Sequence, residues 1–215
     1  MLGLGVGFYK LGGDNYPGGW TPTDLGDKLI HWYQYDTGLT VDAEDDITQW
    51  ADQKGSNNLT AEGTSAVSPT YDSGKVFFNA NNDILTFGSS LDLTTFAIFF
   101  RAEWAAFEDG DFVFEETTNE FLKIHNTTTV RLKIAGGSRH DATISELSTD
   151  TKYNMGIERE DTAATTNDQI YLFINNASQT LGGSGGGTQA ITDTLEITTF
   201  GKPANNLKLY EVIIC

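Results

Sequence analysis

Short apolar segments separated by turn residues follow one another along most of this chain, and no segment of useful length repeats with the period of a helix. Residues 76–78 and 84–87, for example, are separated by the polar stretch 79–83. Segments of this length and spacing are typical of antiparallel strands joined by tight turns. Because about a dozen such strands with almost no helix are stable chiefly as a sandwich or a barrel, we predict an all-β, two-layer antiparallel sandwich.

The clearest strand prediction is residues 94–104, TTFAIFFRAEW, which are apolar on both faces and so indicate a core strand. Residues 122–125 and 130–134 alternate between apolar and basic side chains, a pattern that predicts half-exposed strands. The alternation at 153–157 and 170–174 predicts an antiparallel hairpin. Together these segments predict the strands in the middle part of the chain.

The segments before and after this middle part are predicted from separate patterns. Thr21, Pro22 and Asp24 form a helix-start pattern, so a short helical turn is expected before Gly26. Residues 29–35, LIHWYQY, are predicted to be a central strand because neither of their faces is cleanly polar. Two further strands, at residues 195–200 and 207–214, are predicted to close the sheets.

Residues 1–19 combine closely spaced glycines with apolar residues, a composition that cannot easily build its own core. We predict an extended N-terminal arm that docks on a neighbouring subunit, with a frayed terminus as the alternative. Residues 20–215 then form one domain. The side chains predicted to act in assembly are Leu2, Leu4, Val6, Phe8 and Tyr9.

The charge of the chain excludes one large class of partners. Thirty acidic residues against thirteen basic ones give a formal net charge of −17, which would repel nucleic acid and anionic lipid. Cys215 is the single cysteine, so we expect no internal disulfide. The N-terminal stretch has no basic region and no uninterrupted apolar run, so we expect no signal peptide and no membrane partner.

Seven segments of the chain form an ordered pattern: WTPTDLGDKLIHWYQYD, ITQWADQKGSNN, VFFNANNDILTF, DLTTFAIFFRAEW, TKYNMGIERED, IYLFINNASQ and LEITTFGKPANNLKLYEVIIC. In this order they resemble the concanavalin A-like, laminin G-like jelly-roll domains, particularly those in virion proteins of tailed bacteriophages. The resemblance covers residues 20–215. The chain departs from the family pattern in two places, since Asn176 rather than glycine follows Asn175 and Asn206 replaces the usual glycine before the last strand.

The resemblance implies a jelly-roll sandwich, and from it we expect a non-enzymatic virion structural protein on the virion surface. A capsid decoration or head-fibre module would bind other virion proteins such as the major capsid protein, as a repeated homo-oligomer. The alternative is a carbohydrate-binding or receptor-binding tail component that contacts a cell-surface glycan. The same fold hosts lectins, glycanases and structural modules, so the fold alone does not decide between them.

The expectation of no enzymatic activity depends on the placement of the acidic residues. Glycanases of this fold carry paired acids on one strand face, because hydrolysis needs two carboxyl groups at a defined separation. No ExDxxE run is present. The acids Glu158 and Glu160 fall in a predicted loop, where a solvated turn is the ordinary interpretation.

Metal binding was considered at two acidic stretches. Calcium is bound through oxygen ligands in some related domains, and residues 81–83 or the acidic turn at 42–46 could supply several of them. Neither stretch has EF-hand spacing, so calcium is an alternative to the expectation of no cofactor. His31, His125 and His140 have no zinc-ligand spacing. The weak calcium candidates are Asp42, Glu44, Asp45 and Asp46.

Aromatic platforms that stack on sugar rings are a third kind of candidate site. Trp20, Trp32 and Trp104 lie in apolar sequence and are predicted to pack in the core. Trp50 lies beside a polar loop, so it is the residue predicted to contact a glycan.

Overall fold

The computed structural model describes residues 21–61, 68–80, 82–107, 111–117, 120–134, 139–160, 170–179, 181–183, 194–201 and 206–215. The arm predicted at residues 1–19, with Leu2, Leu4, Val6, Phe8 and Tyr9, lies outside the described residues. Trp20 and Asn81 also lie outside them. Within the described residues no helix is long and apolar enough to cross a membrane.

The chain folds into strands, apart from one 3₁₀ segment at Pro22–Lys28. In chain order the strands are β1 (His31–Tyr33), β2 (Leu39–Val41), β3 (Ile47–Trp50), β4 (Leu59–Thr60), β5 (Thr70–Asp72), β6 (Lys75–Phe78), β7 (Leu85–Leu93), β8 (Phe96–Trp104), β9 (Asp111–Thr117), β10 (Glu120–Asn126), β11 (Thr129–Lys133), β12 (His140–Thr143), β13 (Tyr153–Arg159), β14 (Ile170–Ile174), β15 (Ala177–Gln179), β16 (Leu181–Gly183), β17 (Leu195–Phe200) and β18 (Leu207–Ile214).

These strands form two antiparallel sheets that pack face to face as a sandwich. The eight-stranded sheet has the order β15-β14-β13-β8-β18-β6-β5, with β1 also paired to β18. The ten-stranded sheet has the order β16-β12-β11-β10-β9-β17-β7-β4-β3-β2. Both orders combine runs of consecutive strands, such as β15-β14-β13, with neighbours that are distant in the chain, such as β8 and β18, as the crossing connections of a jelly roll require. The predicted fold class is confirmed.

The main core lies between the two sheets. From β8, the residues at alternate positions from Phe96 to Trp104 are buried in this core, while Ala97 and Phe99 are buried on the other side of the same strand. Burial on both faces explains the uninterrupted apolar sequence of β8. Each large side chain buried in this way contributes about 1.5–3 kcal/mol, and nearly all residues of the adjacent strands β8 and β18 are buried.

A second, smaller apolar cluster lies on the outer face of the eight-stranded sheet. Leu29 packs there with Ala97, Phe99 and Ile213, and Leu25 of the 3₁₀ segment packs against them. The 3₁₀ segment confirms the predicted helical turn, and the Asp24 carboxylate accepts the backbone N–H of Thr21 at 2.7 Å. The segment before β1 therefore covers part of this outer face.

The prediction of a central strand at residues 29–35 is wrong. Only three of these residues form a strand, and β1 pairs with the end of β18 beside the main path of the sheet. Tyr33 is buried in the main core, whereas Leu29 belongs to the outer cluster. The segment is apolar on both sides because it lies beside β18 and contacts the main core through Tyr33 and the outer cluster through Leu29.

Two of the turns explain the asparagines that depart from the family pattern. Asn175 and Asn176 join β14 to β15 with φ values of 48° and 68°, and Asn206 has a φ of 75° before β18. A two-residue hairpin with positive φ at both positions favours glycine or asparagine. Asparagine therefore satisfies the backbone geometry that glycine provides in the family.

Candidate functional site

The structure buries the residue that was predicted to contact a glycan. Trp50 is 1% exposed, its indole N–H donates to the Gln34 carbonyl at 3.1 Å, and its ring packs 5.7 Å from the ring of Tyr33. A ring enclosed in this way has no free face for a sugar. Trp50 is therefore a core side chain and not the predicted surface platform, because its side chain at the end of β3 points inward.

The acidic turn between β2 and β3 is organised by its own backbone. One oxygen of Asp42 accepts the backbone N–H groups of Glu44 and Asp46 at 3.0 and 2.9 Å. The Asp45 carbonyl accepts the N–H of Tyr71. In the described part of the chain, no three His, Cys, Asp or Glu side chains lie close enough together to hold a metal ion. Calcium binding at this turn stays a prediction that no contact in the structure supports.

The two acids considered for hydrolysis lie on and beside a strand, not in a loop as predicted. Glu158 belongs to β13, and Glu160 follows its last residue. Burial and the nearby charge of Glu160 raise the pKa of the Glu158 carboxyl above its ordinary value. They face away from the main core, because Ile157 and Arg159 at the intervening positions are buried.

A buried carboxylate joins the two sheets near β1. The Asp52 carboxylate accepts hydrogen bonds from Nδ1 of His31 at 2.7 Å and from the backbone N–H groups of Trp32 and Lys54 at 3.0 Å. Burial raises the pKa of Asp52, but these hydrogen bonds outweigh it and leave the pKa below its ordinary value. A Cβ on Gly55 would lie 2.8 Å from the carboxylate, so glycine is needed there. This arrangement holds the loop after β3 against β1.

The outer face of the eight-stranded sheet carries charges in opposite-sign pairs. Glu103 lies directly across from Lys208, and Arg101 lies directly across from Glu211. The Glu103 carboxylate accepts the Tyr210 hydroxyl at 2.6 Å and the Lys208 ammonium at 3.0 Å. Burial raises the pKa of Glu103, but these two hydrogen bonds outweigh burial and leave the pKa below its ordinary value.

The ring of Tyr210 lies at the centre of this outer face and is enclosed by cations. The Lys152 ammonium lies 4.7 Å from the ring centroid, and the charged groups of Lys75 and Arg101 each lie 5.6 Å from it. Tyr35 stacks on the ring at 5.8 Å. Asp72, Asp150, Glu103 and Glu211 lie nearby, so four acids accompany the four cations Lys75, Arg101, Lys152 and Lys208 around this ring.

The outer face of the ten-stranded sheet differs in its charge pattern. In β10 and β11, Lys123, Arg131 and Lys133 alternate with residues of the main core and so lie on the outer face. Arg139 and Asp141 join them from the start of β12, because Arg139 contacts Asp141 at 3.3 Å. We call Lys123, Arg131, Lys133, Arg139 and Asp141 the basic patch.

Within the basic patch two like charges lie directly opposite each other. Lys123 is the cross-strand partner of Arg131, and Arg131 is in turn the partner of Asp141. Two nearly parallel hydrogen bonds, of 2.9 and 3.1 Å, join the Arg131 guanidinium to the Asp141 carboxylate. Like charges that lie directly opposite across strands destabilise a sheet. The salt bridge from Arg131 to Asp141 opposes this cost.

A second like-charged pair lies on the same sheet. Asp92 in β7 is the cross-strand partner of Glu196 in β17, and Leu93 and Leu195 beside them are buried. The two acids therefore share the outer face. Their Cβ atoms are separated by about 4.5–5.5 Å, the distance between direct cross-strand neighbours.

A row of side chains crosses the sheet between the two pairs. The strand registers align, from β7 to β11, Thr86, Thr199, Glu115, Phe121 and Lys133. The Thr199 hydroxyl donates to the backbone carbonyl of Glu115 at 2.9 Å. The Lys123 ammonium lies 5.9 Å from the ring centroid of Phe121. The row combines hydroxyl, carboxylate and ammonium groups with one aromatic ring.

The sequence predicted the half-exposed strands but did not identify this face as a site. The basic residues of β10 and β11 were recognised as the exposed half of an alternating pattern, and their register could not be known. A detectable signal was present, because a strongly acidic chain places Lys123, Arg131 and Lys133 at alternate positions of consecutive strands. The Asp92 and Glu196 pair had no such signal, since 104 residues separate the two acids.

Known proteins resemble this chain in fold but not in sequence. No family model matches the chain, and no curated protein matches it. A Trypanosoma rangeli sialidase in complex with sialic acid has a similar fold, with a TM-score of 0.55 and 10% identity over 87% of this chain. The chain spans 30% of that sialidase's length.

Two further solved structures have lower similarity. The carbohydrate recognition domain of Emp47p has a TM-score of 0.48 and 10% identity, over 88% of this chain and 97% of that domain. The alginate lyase Aly36B has a TM-score of 0.43 and 11% identity, over 72% of this chain and 86% of the lyase.

These comparisons change two predictions. The concanavalin A-like, jelly-roll part of the predicted resemblance is confirmed, while none of the similar structures connects the chain to bacteriophage virion proteins. The prediction that the protein is not an enzyme is contradicted, because the sialidase is an enzyme.

Proposed function

We propose that this protein binds carbohydrate on the outer face of the ten-stranded sheet. The observation that carries the proposal is the aligned row Thr86, Thr199, Glu115, Phe121 and Lys133, which crosses five adjacent strands. Saccharides present hydroxyl groups around an apolar ring face, so a binding surface needs polar groups placed around an aromatic side chain. This row places both on rigid strands, where positions are better defined than on loops. Phe121 and Glu115 are each 8% exposed and the Thr86 hydroxyl oxygen is buried, so a saccharide would reach the row through the Lys133 ammonium and the exposed part of the Phe121 ring.

The similar structures support the same function. The fold is shared with a sialidase that was solved in complex with sialic acid. The chain spans 30% of that enzyme, so the whole enzyme's activity is carried over here only as a proposal. The fold by itself hosts unrelated functions, and the argument for this chain therefore depends on its own row of residues.

Binding is tested on a panel of neutral and acidic polysaccharides by affinity electrophoresis and titration calorimetry. Phe121→Ala is expected to weaken binding about tenfold or more, the effect of losing roughly 1.4 kcal/mol of ring contact. Phe77→Ala is the matched control, because Phe77 also lies beneath a lysine, with Lys208 at 5.3 Å, but on the other sheet. A protein that binds no member of the panel, or a control that weakens binding equally, contradicts the proposal.

Glycan cleavage is a second candidate function, favoured by the Asp92 and Glu196 pair. Retaining glycosidases hold two carboxyl groups about 5–5.5 Å apart, and the side chains of direct cross-strand neighbours, whose Cβ atoms are about 4.5–5.5 Å apart, can bring two carboxyl groups that close. Asp92→Asn and Glu196→Gln are each expected to abolish the release of reducing ends from a polysaccharide that the protein binds. Glu158→Gln, on the other sheet, should leave that release unchanged. Absence of release by the unaltered protein on every bound polysaccharide rules cleavage out.

The virion surface and the major capsid protein remain predictions from the sequence resemblance. Deletion of residues 1–19 tests them, because loss of the predicted arm should prevent incorporation into particles while the domain stays folded. Unchanged incorporation would remove the role assigned to Leu2, Leu4, Val6, Phe8 and Tyr9.

A further inference from the structure

We infer that the saccharide is anionic, and that the basic patch on strands β10 to β12 holds its carboxylate or sulfate groups. This inference rests on the proposed carbohydrate binding and specifies its ligand class. The row around Phe121 would contact the sugar rings, while Lys123, Arg131 and Lys133 would contact the acidic substituents. The charge, geometry and spacing of the patch each support this assignment.

The first support is the local concentration of positive charge. The chain has thirteen basic residues and a net charge of −17. Four of these basic residues lie in the patch, and Asp141 is the one acidic side chain among the described outer positions of β10, β11 and β12. The patch therefore has a formal charge of +3, opposite in sign to the rest of the molecule. A patch of this sign attracts anionic ligands and raises their local concentration.

The second support is the direct pairing of Lys123 with Arg131. Strand pairs gain stability from opposite charges and lose it from like charges. The eight-stranded sheet pairs Glu103 with Lys208, so this chain does place opposite charges across strands elsewhere. An anionic group bound between Lys123 and Arg131 would add a second counter-charge to the one that Asp141 already supplies to Arg131.

The third support is the fixed orientation of Arg131. Its Nε and Nη2 donate to Asp141, and the side chain is 12% exposed. The guanidinium plane is therefore held before any ligand arrives, so less conformational entropy is lost when it binds. Its Nη1 has no partner among the described residues and remains free to donate to an acidic group.

The spacing of the charges indicates a polymer rather than a small ion. Neighbouring strands are about 4.8 Å apart, and alternate residues of one strand are about 6.6–7 Å apart. Lys123, Arg131 and Lys133 thus present three cations over a distance of several ångströms in two directions. A single inorganic anion contacts a point, whereas an acidic polysaccharide repeats its charge at the scale of a sugar unit. The net charge of −17 opposes any polyanion that extends beyond the patch, an acidic polysaccharide as much as a nucleic acid, so only the part of the polymer within the patch is attracted.

The test compares polygalacturonate and heparin with neutral galactan, at low and at high salt, by titration calorimetry on the full chain. We expect the two acidic polymers to bind at least tenfold more tightly than galactan, with an advantage that shrinks as salt rises. A single-stranded oligonucleotide and inorganic sulfate are measured in parallel. Equal affinity for galactan, or tighter binding of the oligonucleotide or of sulfate, overturns the inference.

A charge-matched pair of variants locates the effect. Lys123→Gln with Lys133→Gln removes two positive charges from the patch, and Lys28→Gln with Lys54→Gln removes two from exposed positions elsewhere. We expect the first variant to bind polygalacturonate at least tenfold more weakly and the second to change affinity less than twofold. Equal weakening in both variants contradicts the assigned place. Urea unfolding midpoints confirm that each variant is folded.

The two proposals fail in different ways. If the protein binds neither acidic nor neutral polysaccharides, carbohydrate binding itself is wrong. If it binds galactan and the affinity for acidic polymers does not depend on Lys123 and Lys133, carbohydrate binding survives and the anionic ligand is wrong.

Discussion

The two outer faces of this sandwich use charged residues in opposite ways. On the eight-stranded sheet, Glu103 faces Lys208 and Arg101 faces Glu211, so each charge has its counter-charge across the strand. On the ten-stranded sheet, Arg131 faces Lys123 on one side and Asp141 on the other, and the acids Asp92 and Glu196 face each other. Both faces belong to one antiparallel fold with the same backbone rules, so the difference lies in which side chains the registers bring together.

From this difference we expect the charges of the first face to stabilise the fold and the like-charged pairs of the second face to act in ligand binding. The cluster around Tyr210 is satisfied internally, through hydrogen bonds to Glu103 and contacts with Lys75 and Lys152. The like-charged pairs gain nothing of this kind from each other. Substitutions on the first face should therefore change stability, and substitutions on the second should change binding.

The largest stability effect is expected at the centre of the eight-stranded face. Glu103→Gln removes the negative charge that pairs with Lys208 and Lys75, which are largely buried beside it. We expect the free energy of unfolding to fall by about 2–3 kcal/mol, because partly buried cations are left without their carboxylate. Urea unfolding measures the change.

The matched control for Glu103 is Asp150→Asn. Asp150 also lies within reach of Lys208, at 3.6 Å, but its side chain is 68% exposed. Exposed ion pairs contribute about 0–1 kcal/mol, so this variant should be nearly as stable as the unaltered protein. Equal losses in the two variants would show that the face is not organised around Glu103.

A smaller loss is expected from Tyr210→Phe. The substitution keeps the ring that Tyr35 and Lys152 contact and removes only the hydroxyl that donates to Glu103 at 2.6 Å. We expect a loss of about 1–2 kcal/mol, the range for one hydrogen bond to a charged acceptor. A fully stable variant would indicate that Lys208 and Lys75 suffice to hold the carboxylate.

Acid should remove part of the stabilisation that Glu103 provides. The pKa of Glu103 is lower in the folded protein than its ordinary value of 4.5. A carboxyl group with a lowered folded pKa stabilises the protein above the unfolded pKa and loses this effect as the pH falls through the folded pKa. The stability difference between the unaltered protein and Glu103→Gln is therefore expected to shrink below about pH 4.5. A constant difference from pH 7 to pH 3 would contradict this.

The smallest stability effect is expected on the ten-stranded face. Lys123→Gln removes one member of the like-charged pair with Arg131, so the free energy of unfolding should change by less than about 0.5 kcal/mol, or rise slightly. The measurement is the same urea titration that is used for Glu103→Gln. A loss comparable with that of Glu103→Gln would make the two faces alike and remove the basis of the comparison.

Apolar periodicity was sufficient to predict the long core strand and the closing strands of the fold. The strand predicted at residues 94–104 is β8, and the closing strands predicted at 195–200 and 207–214 have the bounds of β17 and β18. Burial on both faces leaves a continuous apolar run, and burial on one face leaves an alternating one, so either pattern can be recognised without a partner strand. The segment 29–35 was the exception, because contact with two clusters also produces an apolar sequence.

The candidate site could not be predicted because it depends on strand register. Lys123 and Arg131 are close in sequence, yet only their pairing shows that like charges face each other. Trp50 was judged from the polar loop beside it, whereas its direction at the end of β3 placed it in the core. Alternation shows which residues of one strand lie on the same face, but it does not show which residues of the neighbouring strands lie beside them.

The most direct test of the account is to map where an acidic saccharide contacts the protein. An oligogalacturonate of about six units is long enough to cross the patch, whose adjacent strands are roughly 5 Å apart. This oligosaccharide is titrated into isotope-labelled protein. The account predicts that amide chemical-shift changes concentrate on β9 to β12, near Phe121, Lys123 and Arg131, and are absent from the region around Glu103 and Tyr210. Changes concentrated on the outer face of the eight-stranded sheet would contradict it.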